Sequence, residues 1–257
     1  MYSYRPEPNQ TTRRTAPGRS QQTMFSLAII TLVIMGVLMG FKLFSSEVKR
    51  EITIAQPESE QVGPLLAPTV SVAANPLPTR DPFRPLVGIV SGHRGYDPGA
   101  VCADGLTEAE VNYRAALEAI DLLERRGVQA VLLEEFDERL TGFQADALVS
   151  IHADSCMVPG ATGFKVARVT DSAIPEAEDR LVACLYQEYE AYTGLPQHPS
   201  SITDNMTNYH AFREIDRSTP GAIIELGFLL DDRYLLENKP KILARGVAAG
   251  ILCFLGK

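Results

Sequence analysis

Two histidines occupy equivalent places in the chain, each just past a short apolar run: Val87-Gly88-Ile89-Val90-Ser91-Gly92-His93 and Ala147-Leu148-Val149-Ser150-Ile151-His152. Apolar runs of this length, bounded by Gly and polar residues, read as buried parallel strands, and the ligand sites of open α/β sheets gather where such strands end. Glu108 follows His93 closely enough to supply a third donor. Two imidazoles and one carboxylate leave a fourth tetrahedral position for water, which is the donor set of a catalytic zinc rather than of a closed structural one. The chemistry such a site serves is hydrolysis. A lone histidine beside an apolar run is ordinarily just a hydrogen-bonded core or surface residue. The loop from Ser91 to Ala100 sets His93 apart, because Gly92, Gly95 and Gly99 allow sharp turns and a close approach of an ion to the backbone.

Two carboxylates complete the set. Thr107 followed by Glu110 reads as a capping box, which places Glu108 in the first turn of a helix, near the His93 loop. An acidic first turn is also what the helix dipole favours without any metal, and Glu110 is the alternative ligand. Glu225 interrupts the apolar segment Ala222-Ile223-Ile224-Glu225-Leu226-Gly227-Phe228-Leu229. A carboxylate in such a setting acquires a raised pKa or a cationic partner, which is the tuning a general base near neutral pH requires. The bland alternative is a strand-end Glu that points into water.

These residues need a frame, and periodicity supplies one. The expected elements are a strand Leu86–Ser91, a helix from Glu108 to Arg126 with Val111, Ala115, Ala119 and Leu122 on one face and Gly127 as its stop, and a strand Val128–Leu133. Strands Ala147–Ile151 and Phe164–Val169 follow, then a helix from about Pro175 to Tyr192 with Leu181, Leu185 and Tyr189 inward and Gly194 ending it. A strand Ala222–Glu225, a short helical turn near Asp231–Glu237 and a helix Pro240–Phe254 burying Leu243, Val247 and Ile251 close the chain. Such alternation predicts an α/β fold: a single domain with a mainly parallel twisted sheet and helices on both faces. From Leu86 to Lys257 there are roughly 170 residues, ample for one packed core.

Ser91-Gly92-His93-Arg94-Gly95-Tyr96-Asp97-Pro98-Gly99-Ala100, then Gly105-Leu106-Thr107-Glu108, Val111-Asn112, Ser150-Ile151-His152-Ala153-Asp154 and Ile224-Glu225-Leu226-Gly227-Phe228-Leu229 together resemble the zinc-dependent N-acetylmuramoyl-L-alanine amidases of the amidase 3 type. The resemblance runs from roughly Leu86 to the C-terminus, and four motifs in order are far more specific than any one. It implies that His93, Glu108 and His152 bind Zn2+ and that Glu225 is the catalytic carboxylate. It also implies a peptidoglycan substrate, cut at the amide between the lactyl group of N-acetylmuramic acid and L-alanine of the stem peptide. Arg94 departs from the family's usual second Gly and Asp154 from its usual Asn, and the stretch between Leu133 and Ala147 lacks the longer Arg-containing helical insertion of many relatives. Two rival functions are a non-catalytic wall-binding or regulatory domain of the same fold, which would have lost a site residue, and a zinc peptidase acting within the stem peptide.

Ahead of the domain, Met24 to Phe41 is a charge-free apolar run of 18 residues, extended by Leu43 and Phe44 beyond a Lys42 that can snorkel; it is long enough to span a bilayer. Arg5, Arg13, Arg14 and Arg19 precede it against Glu7 alone, so the positive-inside rule puts the N-terminus in the cytoplasm. The expected organisation is a basic cytoplasmic tail over 1–23, a single-pass membrane anchor over 24–44, a Pro-rich linker over 45–85 and an extracytoplasmic catalytic domain over 86–257. A cleaved signal peptide is the competing reading, but the polar leader is long and no small-x-small site follows promptly. Ile52 to Pro85 holds seven prolines and little periodicity, which describes a semi-extended tether.

Charge argues against nucleic acid as a partner: seven basic and three acidic residues precede Ile52, so the remainder carries −12 of the overall −8 and has no basic patch. An activator protein is left open. Cys184 and Cys253 fall on apolar helix faces and read as core thiols, whereas Cys102 and Cys156 lie in the loops that carry the histidines, either bridged or unrelated. His198 and His210 have no comparable setting and are assigned to the surface or to the surroundings of the site.

Overall fold

A computed structural model of the chain describes residues 76–257. The basic tail, the 24–44 anchor and all but the end of the 45–85 linker lie outside the described residues. Among the described residues, no helix is long and apolar enough to cross a membrane.

Five strands of the described residues form one sheet: β1 (Leu86–Ser91), β2 (Gln129–Leu133), β3 (Ala147–Asp154), β4 (Lys165–Ala167) and β5 (Gly221–Phe228), in the order β2-β1-β3-β5-β4. All adjacent pairs are parallel except β4 with β5. The sheet is therefore mainly parallel, as the alternation of elements predicts. β4 is shorter than the expected Phe164–Val169 and runs antiparallel, as an edge strand on a parallel sheet often does.

Three long helices, α1 (Glu108–Arg125), α2 (Pro175–Thr193) and α6 (Pro240–Leu255), cover one face. Side chains alternate across a strand, so Val87, Ile89, Val149, Ile151, Ala222 and Ile224 meet these helices. The other face, carrying Leu86, Val90, Leu148 and Ile223, differs from the expectation of helices on both sides. Among the described residues, the elements that pack there are short: 3₁₀ turns (Glu138–Leu140, and Pro199–Ser201 through its C-cap Ile202) and the one-turn helices α3 (Asp204–Thr207) and α4 (Ala211–Glu214), while α5 (Arg233–Asn238) precedes α6. This thin cover leaves room for a pocket.

Helix α1 begins where its sequence says, with the Thr107 hydroxyl accepting from the Glu110 amide, and the turn after it ends at Gly127 with φ +73°. Its inward stripe is Val111, Ala115, Ala119 and Leu123 rather than Leu122, which is only partly buried. Strict four-residue steps from Val111 reach Leu123. Leu181, Leu185 and Tyr189 of α2 and Leu243, Val247 and Ile251 of α6 are buried as expected.

Cys184 and Cys253 are not core thiols. They form a disulfide between α2 and α6, Cys253 is exposed, and Cys102–Cys156 is bridged as well. The α2–α6 bridge follows from close helix packing: a Cβ on Gly246 would stand 2.9 Å from Tyr189 Cα, and one on Gly250 2.8 Å from Leu185 Cα. With the helix backbones this near, cysteines at the edge of the contact meet at a Cα–Cα distance of 5.8 Å. Each bridge closes a long loop, 54 and 69 residues apart in sequence, and such cross-links typically stabilise a fold by about 2–4 kcal/mol.

The end of the linker is fastened to the domain. Gln129 donates to Thr79 O and accepts from the Asp81 amide, and Arg80 pairs with Asp146.

Candidate metal centre

Register places the chemistry. His152 on β3 lies directly opposite Glu225 on β5, and Glu225 lies opposite Lys165 on β4. All three occupy the phase of alternation shared with Leu148, Ile223 and Ala167, so they face the thinly covered side at the C-terminal end of the parallel strands. Just past this row, two steps along β3 are matched by three along β5, an irregularity between His152 and Asp154. Bulges of this kind end pairing and re-aim side chains beside functional sites.

His93 follows β1 in the left-handed region at φ +66°, the one non-glycine residue with positive φ among the described residues. Non-glycine residues are held there only where the surroundings enforce it, and such positions cluster at functional sites. The surroundings here are explicit. The His93 amide donates to Glu135 Oε2 at 2.6 Å, and its ring Nδ1 is 2.6 Å from Asp97 Oδ1. His93 Nε2 is then 3.2 Å from Glu108 Oε1, and His152 Nδ1 is 3.1 Å from the same oxygen. One donor atom from each of the three residues lies within 4.8 Å of the others. Gly92 and Gly99 admit this convergence, since a Cβ on Gly92 would be 2.4 Å from the His152 ring and one on Gly99 2.7 Å from both Glu108 Oε2 and His93 Cδ2. The glycines make way for the donor side chains.

Glu108 is well supported: the Ala100 amide donates to Oε2, and the Ala153 amide and Asn112 Nδ2 donate to Oε1. Glu110, the alternative ligand, is exposed and faces Arg114 instead. Burial alone would push the Glu108 carboxyl up, but hydrogen bonds from His152 and His93 outweigh it and hold it well below the usual range. The Glu108 hydrogen bond in turn raises His93 to about 9, while His152 is raised against its own burial. Protons and metal ions compete for the same imidazole lone pairs, so a field that draws cations to these nitrogens is one a dication would also meet.

Glu225 lines the same cavity of about 530 Å³ as His93, Glu108 and His152. Its Oε2 is buried without a hydrogen-bond partner, and burial, only partly offset by His152, pushes its pKa up to about 7. Asp154, the unusual residue after His152, is paired with Lys165, which also donates to Ser201.

Two residues of the site, Glu135 and Tyr209, were not singled out from the sequence. Glu135 is buried, its Oε2 lies 3.6 Å from His152 Nε2, and its Oε1 accepts from Tyr209 Oη and faces His210 Nε2, both at 3.0 Å. Burial raises the Glu135 carboxyl, but the His210 hydrogen bond and its other partners bring it down to about 2. His210 therefore belongs to the site's surroundings, one of the two assignments made for it, whereas His198 hydrogen-bonds Ser201 away from the donors. The signal for Glu135 was present: it follows the apolar run of β2 just as His93 and His152 follow theirs.

The family model described as N-acetylmuramoyl-L-alanine amidase matches residues 87–253. N-acetylmuramoyl-L-alanine amidase AmiC of Neisseria meningitidis serogroup B is 26% identical over 180 residues, covering 63% of this chain and 43% of that protein. The chain thus spans less than half the length of this curated relative. Among solved structures, AmiC2 of Nostoc punctiforme, an N-acetylmuramoyl-L-alanine amidase, is 27% identical with a TM-score of 0.52, over 67% of this chain and 98% of that one. The CwlD amidase of Clostridioides difficile, solved in complex with the GerS lipoprotein, is 21% identical with a TM-score of 0.56, over 67% of this chain and 99% of that one. This last likeness is one of fold.

Proposed function

The chain belongs to the N-acetylmuramoyl-L-alanine amidase family, and from that premise we propose that it is a zinc-dependent peptidoglycan hydrolase. Its bond is the amide between the lactyl group of N-acetylmuramic acid and L-alanine of the stem peptide. The observation that carries this proposal is the convergence of His93 Nε2 and His152 Nδ1 on Glu108 Oε1, with Glu225 in register beside His152. Two nitrogens and a carboxylate oxygen suit zinc and leave a position open. Zinc, when bound, supplies Lewis-acid polarisation of the scissile carbonyl and makes water easier to deprotonate.

The chain's own part is proton transfer and positioning. Glu225, with a pKa of about 7, is half ionised at neutral pH and serves in both directions. Its carboxylate takes a proton from the attacking water as the water oxygen bonds to the carbonyl carbon. The same carboxyl gives that proton to the amide nitrogen as the C–N bond breaks, leaving a lactyl carboxylate and a free amino terminus on L-alanine. Glu110 and Asp154 are poorly placed to replace it, the first being exposed and the second engaged by Lys165. Incubating the zinc-loaded protein with purified peptidoglycan should release new L-alanine amino termini, identified by mass spectrometry. Cuts within the stem peptide would instead mark a peptidase, and absence of any cut would mark a binding domain.

We further propose that the 24–44 segment anchors the chain with its N-terminus in the cytoplasm and the catalytic domain outside, where the substrate lies. The arginine excess before Met24 and the proline-rich tether support this. Protease added to intact spheroplasts should remove the catalytic domain from the full-length chain, and digestion only in inverted vesicles would reverse the orientation.

A further inference from the structure

The loops after β1 and β2 present two exposed aromatic rings at the lip of the catalytic cavity. Tyr96 is 67% exposed and Phe136 52%. Their ring centroids are 4.5 Å apart, and Phe136 stacks on His210 at 4.2 Å, so the rings continue outward from a residue that lines the cavity. Exposed rings on a mobile loop would mean little, but these are fixed. The Glu135 amide donates to Arg94 O, the His93 amide to Glu135 Oε2, and the Tyr96 amide to His93 O. Large apolar groups held rigidly in water, at little further entropic cost on binding, are the mark of a binding surface. Beside them stand polar groups: the Arg94 guanidinium carbon sits over the Tyr113 ring, 3.6 Å from its centroid, and Arg94 Nε faces Glu134 at 3.5 Å.

Sheet order sorts the surroundings of the metal centre into two unlike sides. With β3 and its His152 in the middle of the order β2-β1-β3-β5-β4, the aromatic rings follow β1 and β2 on one side. On the other side are Glu225 on β5 and Lys165 on β4, and Ser201, which Lys165 holds, leads into Thr203 and Asn205 on the cavity wall. The proposed substrate is unlike in the same sense. On one side of its scissile amide is a sugar, whose pyranose ring offers a flat face of C–H groups rimmed by hydroxyls. On the other is a peptide, made of hydrogen-bonding amides. An aromatic face flanked by Arg and Glu matches the first, and a wall of hydroxyl and amide side chains matches the second.

We propose that Tyr96, supported by Phe136, is a sugar-binding platform that seats the glycan on the β1/β2 side of the metal centre and so fixes the direction in which the substrate lies across the sheet. This rests on the amidase reading for its substrate, but sugar binding is measurable without catalysis.

Two substrates and one ligand test it on the full-length, zinc-loaded chain. Tyr96→Ala should raise KM for a disaccharide-linked stem peptide by about three- to tenfold, the range expected for losing one aromatic stacking contact. It should leave kcat/KM for a lactyl-peptide carrying no sugar unchanged, and Tyr96→Phe, which keeps the ring, should stay near wild type. An N-acetylglucosamine tetramer titrated in NMR should shift signals of the wild type and not of Tyr96→Ala. Equal losses on both substrates would assign the rings to the peptide or to the structure of the site and overturn the platform, as would no loss on either. If the wild type releases no L-alanine termini, the amidase reading fails and the tetramer alone decides: Tyr96-dependent binding upholds the platform, and absence of binding removes it.

Discussion

Glu225→Gln should retain its fold and its zinc while turnover on peptidoglycan falls by about 10²–10⁴-fold, the range typical of losing general acid–base catalysis. The substitution keeps the size of a side chain that sits between two strands, opposite both His152 and Lys165, and it removes a buried charge rather than creating one. Stability should therefore not suffer, since burial already makes that charge costly enough to raise the carboxyl to about 7. What is lost is the carboxylate acceptor of a cavity-lining residue whose buried Oε2 has no other hydrogen-bond partner. The defect should appear in kcat with KM little changed, because a base acts on the transition state and not on substrate binding. Near-normal turnover would mean that another carboxylate is the base, and loss of zinc would make Glu225 a ligand.

The residues that make this prediction were legible because they obey a local rule. Histidine past the end of an apolar run, and a carboxylate interrupting one, are patterns within a single strand, and parallel pairing brings strand ends together whatever else the chain does. The bounds of β1 and the caps of α1 were legible for the same reason: apolar runs, Thr107 and Gly127 act over a few residues. What escaped depends on which elements lie side by side. The Cys184–Cys253 bridge is set by how closely α6 approaches α2. Its only sequence trace is the spacing of Gly246 and Gly250, one turn apart on the face toward Tyr189 and Leu185. Leu123 rather than Leu122 was within reach of a local rule, since four-residue steps from Val111 lead to it. Glu135 shows a rule applied unevenly, since the strand-end argument that picked out His93 and His152 points to it as well.

Glu135 also shapes the expected order of metal retention. His152→Ala should strip the protein of zinc and of activity together, because it removes one of only two nitrogen donors from the convergent triad, and two donors do not make a structural or catalytic zinc site. His93→Ala should do the same, since it removes the other nitrogen donor. Glu135→Gln should fall between these and the wild type, with zinc affinity lower by about 10–100-fold, the usual cost of losing a carboxylate behind a ligating histidine. The charge matters here more than the shape. Glu135 faces His152 Nε2 at 3.6 Å, receives the His93 backbone amide at 2.6 Å and takes the Tyr209 hydroxyl at 3.0 Å, so its negative charge stands behind the His152 ring and ties down the His93 backbone while Glu108 meets both rings from the front. A neutral amide fits the same space but presents its NH2 to one set of donors, leaving the His93 amide or the Tyr209 hydroxyl without an acceptor and removing the charge that faces His152. Competition with a zinc chelator, read as bound metal per chain, measures all three variants on one scale. Zinc content unchanged in both His93→Ala and His152→Ala would show that the triad is not the metal site, whereas Glu135→Gln matching the wild type would confine Glu135 to holding the loops together.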